Sequence, residues 1–152
     1  MNIESTRFGT LDVQEEQFIR FSQGIPGFPE EKSFVYLQED RESPFSFLQS
    51  AAEANLTFLL VDPFQFFADY EFVLEDDISE ELGLAPENPP RVFLIATVKE
   101  KLADMTVNLL APLIVNNRSR LGRQVILEKP EYSIRQKLFP DGLTLVEVEE
   151  GE

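Results

Sequence analysis

Short runs rich in Phe, Val, Tyr, Leu and Ile recur along the chain between Gly, Pro, Asn and Asp, the pattern of a protein built from short strands. Phe8-Gly9-Thr10 reads as a turn between strands at Ile3–Phe8 and Leu11–Gln14. Phe18–Phe21 is a third strand, and it runs into Gln23–Phe28, where two glycines and a proline impose a tight path. Strand patterns follow at Ser33–Leu37, Phe45–Ser50 and Thr57–Val61. After Asp62-Pro63, the stretch from Phe64 to Leu74 reads as another strand, with Tyr70, Phe72 and Leu74 on one face and Asp69, Glu71 and Val73 on the other. A short helix is expected next, with Asp77 as its cap, Glu80 completing a capping box and Gly83 ending it.

Pro86, Pro89 and Pro90 form a linker to a buried strand at Val92–Val98. Thr106–Leu110 and Leu113–Val115 read as strand segments separated by Pro112, which implies an edge or a bend. Asn117–Gly122 is a hairpin loop with Gln124–Leu127 as its return strand, Tyr132–Leu138 is a weaker strand pattern, and Asp141-Gly142 precedes a last strand at Leu143–Val148. Nine to eleven short strands with one small helix predict an all-β fold, an antiparallel β-barrel-like or sandwich domain.

Length and composition bound what such a fold does. The 152 residues are enough for one domain with a real core, and 43% of them are hydrophobic. No apolar run approaches the roughly 20 residues of a membrane helix, and the N-terminus carries no secretory pattern. A cytosolic protein without membrane attachment is expected. The chain has no Cys and no His, which removes disulfides, thiol nucleophiles, the commonest general base and the usual zinc ligands. Neither GxGxxG nor GxxxxGK occurs. No enzyme activity and no cofactor are expected. Carboxylate-pair hydrolysis of a carbohydrate stays open as an alternative because 28 acids are present.

Charge adds a direction. The net charge of −15 is concentrated, with 19 acids and 4 bases in residues 1–90, 4 acids and 9 bases in residues 91–137, and 5 acids without a base in the rest. Direct binding to nucleic acid is disfavoured, whereas a basic protein partner would be steered in. The densest acids are Asp69, Glu71, Glu75, Asp76 and Asp77. Three readings apply to them: a partner-binding patch, a solvated face with helix-capping residues, or a metal site, the last without EF-hand spacing. The aromatic residues Phe64, Phe66, Phe67, Tyr70 and Phe72 suit either a contact patch or a barrel core, and core is the expectation for most. Tyr70 is singled out because its hydroxyl needs a partner. The basic segment Asn116–Arg123 reads as a polar hairpin loop.

The runs GIPGF (Gly24–Phe28), SPFSFLQS (Ser43–Ser50), VDPFQFFADYEF (Val61–Phe72), NLLAPLIVN (Asn108–Asn116) and GRQVIL (Gly122–Leu127), in this order, closely resemble the FliW flagellar assembly factors of bacteria. The resemblance covers nearly the whole chain to Leu138, so residues 1–138 are expected to form one domain and 139–152 an acidic extension. It implies a β-barrel-like cytosolic protein, monomeric when free, with two partners. One is flagellin, held before export. The other is CsrA, a small dimeric translational repressor that free FliW binds and antagonises by an allosteric route. A protein that mimics RNA at the CsrA site is the alternative within the binding class. Partner contact is expected at Asp69, Tyr70, Glu71, Val73 and Glu75, with Asn116 and Asn117.

Overall fold

The structure, a computed structural model of the protein, describes residues 1–25, 28, 30–38, 40–98 and 102–139. Eleven strands and one α-helix follow in chain order: β1 (Asn2–Ser5), β2 (Gly9–Asp12), β3 (Phe18–Phe21), β4 (Ser33–Leu37), β5 (Phe45–Ser50), β6 (Thr57–Val61), α1 (Asp76–Leu82), β7 (Arg91–Thr97), β8 (Thr106–Val107), β9 (Leu113–Asn116), β10 (Leu121–Gln124) and β11 (Gln136–Lys137). The expected strand at Leu143–Val148 lies outside the described residues.

The strands close into a barrel. Antiparallel ladders join β3 to β4, β4 to β5, β5 to β6 and β6 to β7. Strand β7 then pairs with β9, and β9 with β10, both antiparallel. Closure comes from β10 against β3, which is a parallel pairing with Leu121 opposite Arg20 and Gly122 opposite Phe21. Closure removes the open edges that an exposed sheet must otherwise protect. A β1–β2 hairpin forms a separate small sheet.

Both faces of the barrel wall are covered, which is why several strands read as continuous apolar runs rather than alternating ones. In β7, Phe93 points into the barrel with Phe21, Phe34, Leu48 and Leu60, whereas its neighbour Leu94 joins an outer cluster with Val61, Ile78, Leu82, Val107 and Ile114. All four residues of β9 are buried for the same reason. A third cluster of Ile3, Val13 and Val35 seats the β1–β2 hairpin on the wall.

Several boundaries differ from the sequence reading. The first turn lies at Thr6–Phe8, and Gly9 opens β2 with φ of 77°. The segment expected as one strand at Thr106–Leu110 ends at Val107, because the Asn108 side chain accepts hydrogen bonds from the Leu110 and Ala111 N–H groups at 3.0 and 3.1 Å and bends the chain. That bend lets β8 pair with the C-terminal end of β7 while β9 pairs with its N-terminal end. The return strand begins at Leu121, before the expected Gln124, and Val125 and Leu127 continue the contact by donating to the Pro112 and Leu110 carbonyls.

Position 122 tests the closure. A Cβ built on Gly122 would stand 2.6 Å from a carbon of the Phe21 ring, which is itself fully buried. Gly122→Ala is expected to destabilise the protein by about 1–3 kcal/mol through overpacking. A urea titration should show a lower midpoint at unchanged slope.

Candidate protein-docking surface

The residues from Asp62 to Gly83 connect β6 to β7 across the outside of the barrel, and they carry the acids singled out above. Asp62 starts the connection by accepting a hydrogen bond from the Phe64 N–H at 3.1 Å, with Pro63 in the first position of a 3-10 turn. Phe66 and Phe67 lie half-buried on the outer cluster, with Phe66 against Phe45 and Phe139 at 5.9 and 6.0 Å between ring centres. Phe64 is turned outward and is 53% exposed.

Beyond Tyr70 the expected strand is absent as a laddered element. Residues 71–75 pair with no strand, yet they keep the predicted alternation: Glu71, Val73 and Glu75 are exposed, whereas Phe72 and Leu74 pack on the outer cluster. Two tyrosines replace the ladder. Tyr70 is buried and donates its hydroxyl to the Leu109 carbonyl at 2.6 Å. Its ring lies 4.9 Å from that of Tyr132 and 5.6 Å from that of Phe72. The Tyr132 hydroxyl in turn donates to the Glu71 carbonyl at 2.8 Å and accepts from the Glu71 N–H at 3.0 Å. Burial, with a lesser contribution from Tyr132, holds the Tyr70 phenol well above its ordinary titration range. The hydroxyl therefore stays protonated and donating.

Helix α1 follows. Its N-cap is Glu75, not Asp77. Asp77 sits in the first turn and accepts from the Ile78 N–H at 3.0 Å. The capping-box reading placed the start two residues late, because the first turn is acidic throughout and several residues suit the helix dipole equally. Gly83 does end the helix, with φ of 70°. Ile78 and Leu82 bury the inner face.

The far end of the helix is held by Asn116, which is 2% exposed. Its side-chain nitrogen donates to the Leu82 and Gly83 carbonyls at 2.7 and 3.2 Å. Its side-chain oxygen accepts from the Arg118 and Ser119 N–H groups and from the Asn88 side chain. One buried amide thus caps the helix and shapes the hairpin loop. Asn117 is exposed and accepts from Arg120 at 2.9 Å, and Arg123 reaches Glu81 at 2.9 Å. The basic hairpin is therefore tied to the acidic helix. Asp69, Glu71, Val73 and Glu75 present side chains outward, with no ion pair to any of these carboxylates among the described residues. Tyr70 and Asn116 support this surface from beneath. The role of Asn116 as a buried hub was not foreseen; the missed signal is an Asn ending an apolar run, where a buried amide must satisfy its own hydrogen bonds.

Among the described residues, no group of three or more acids converges to hold a metal ion, and no helix is long and apolar enough to cross a membrane. A family model described as "FliW protein" matches residues 2–138. The chain is 63% identical to the flagellar assembly factor FliW of Desulfitobacterium hafniense strain DSM 10664 / DCB-2, with all of both chains covered. It is 45% identical to the FliW of Heliobacterium modesticaldum, with 92% of each covered. A crystal structure of the flagellar assembly factor FliW superposes with a TM-score of 0.84 at 40% identity, covering 94% of this chain and all of the other. This is an all-β barrel of the flagellar assembly factor class. The chain belongs to the FliW family.

Two substitutions probe the supports. Asn116→Ala should cost about 2–3 kcal/mol, because it leaves helix-end carbonyls and loop N–H groups unpaired. Tyr70→Phe should cost about 1 kcal/mol at neutral pH. The raised Tyr70 pKa also makes the protein lose stability as pH climbs above about 10, where the unfolded chain releases the phenol proton first. Thermal melts between about pH 9 and about pH 11 should therefore fall less steeply for Tyr70→Phe than for the parent.

Proposed function

We propose that this FliW-family chain is a cytoplasmic regulatory binding protein that works by exchanging partners and carries out no catalysis. It holds flagellin before export. When flagellin leaves, the free protein binds and antagonises the translational repressor CsrA, so that flagellin synthesis follows export. Residues 1–138 act as the binding domain, and the remaining acidic segment adds to the charge.

The observation that carries this reading is the row of outward, unpaired carboxylates on Asp69, Glu71 and Glu75, with Val73 90% exposed among them, in a chain of net charge −15. An apolar residue so exposed within an acidic surface suits a protein contact. A repressor that binds messenger RNA must itself carry cationic surface, and an acidic surface draws it in while repelling RNA. Flagellin binding, by contrast, draws on apolar contact, because the helical ends of flagellin are amphipathic.

Affinity for purified CsrA should fall tenfold or more between about 50 mM and about 500 mM salt, and Glu71→Lys should weaken it by a similar factor at low salt. Isothermal titration measures both. An affinity that ignores salt would contradict a charge-steered contact, and recovery of neither CsrA nor flagellin by the purified protein from a cell extract would overturn the assignment.

A further inference from the structure

The backbone of residues 71–75 has a property that the charge reading does not use. In an extended chain, the N–H and C=O of one residue point to one side and those of the next residue to the other. The Tyr132 hydroxyl binds both the N–H and the C=O of Glu71, so that side of the segment faces inward. The corresponding groups of Phe72 and Leu74 therefore point the opposite way. Among the described residues, none of these four groups has a hydrogen-bond partner. Unpaired backbone groups persist only where water reaches them. The outer edge of the segment is thus a short open strand edge, fixed in extended form by the packing of Phe72 and Leu74 and by Tyr132, yet unused.

We propose that Glu71–Glu75 takes an extended segment of a partner chain by strand addition. The partner segment is specified by charge and register. In an antiparallel pairing, Phe72 and Leu74 occupy the hydrogen-bonded positions, so Val73 sits in a non-hydrogen-bonded position, where cross-strand side chains approach most closely. The residue opposite Val73, at 90% exposure the most exposed of the large apolar side chains, is apolar. The residues opposite Glu71 and Glu75 are lysine or arginine. The edge thus selects a segment in which a basic residue lies two positions to either side of an apolar one. Backbone bonds supply the docking and these pairs the specificity. The inference deepens the proposed acidic contact, and it also stands on backbone geometry that would hold for a partner other than CsrA.

The test uses the full chain and a capped peptide, Thr-Lys-Thr-Val-Thr-Lys-Thr, at low salt. Strand addition predicts that the peptide slows hydrogen exchange of the Phe72 and Leu74 amides. It also predicts an asymmetry. N-methylation of the two threonines that flank the valine should weaken binding about tenfold or more, since those N–H groups face the edge, whereas N-methylation of the valine should change it less than about twofold. Failure of the peptide to bind, equal loss from both methylation patterns, or binding without protection of Phe72 and Leu74 would each overturn the proposal. The same exchange measurement with purified CsrA separates the two readings. A CsrA complex that leaves Phe72 and Leu74 unprotected would overturn strand addition while sparing the acidic contact. Peptide binding with the predicted asymmetry, in a protein that ignores CsrA, would support the docking edge and overturn the choice of partner.

Discussion

The barrel depends on one close approach, that of β10 to β3. These strands are distant in sequence and run parallel, and their pairing converts an open sheet into a ring. The approach is set by Gly122, whose missing side chain leaves room for the buried Phe21 ring. Once the ring is closed, the interior is sealed by Phe21, Phe34, Leu48 and Leu60. The outer face of β6, β7 and β9 is then left with apolar side chains that must be covered. That requirement explains the long connection between β6 and β7. It lays Phe66, Tyr70, Phe72, Leu74, Ile78 and Leu82 over the outer wall in succession.

The candidate docking surface is a by-product of that cover. An extended segment that buries every second residue on the barrel must present the others to water, and here those are Glu71, Val73 and Glu75. The segment needs anchors because no ladder holds it. Tyr70 and Tyr132 supply them from below, and Asn116 fixes the helix that follows. The exposed groups are thereby held on a rigid support, which reduces the ordering cost of a contact.

Much of this architecture was legible from local pattern. β3, β4, β5 and β6 lie where their apolar runs end at Gly, Pro or Asp, and Gly83 marks the helix end. What local pattern could not convey is long-range pairing. The parallel β3–β10 contact joins residues about a hundred positions apart and leaves no periodic trace. The stretch at Phe64–Leu74 shows a subtler failure. Alternation of polar and apolar residues reports extended backbone with one buried face, but not whether a neighbouring strand is present. At the surface, the sequence pointed to Asp69, Glu71, Val73 and Glu75 as outward residues, and they are outward. It gave no sign that Tyr70 and Asn116 would be committed to internal hydrogen bonds, since a Tyr among acids and an Asn beside a hairpin loop look much like surface residues.

The acidic contact proposed for Asp69–Glu75 stands or falls on where a basic partner touches the barrel. Backbone amide shift mapping of the isotope-labelled chain, titrated with purified CsrA, reports this directly. The account predicts the largest shifts at Asp69–Asp77, with smaller ones reaching the hairpin loop through α1. Shifts centred instead on the distant end of the barrel around Arg91 and Tyr36, with Asp69–Asp77 unmoved, would contradict it.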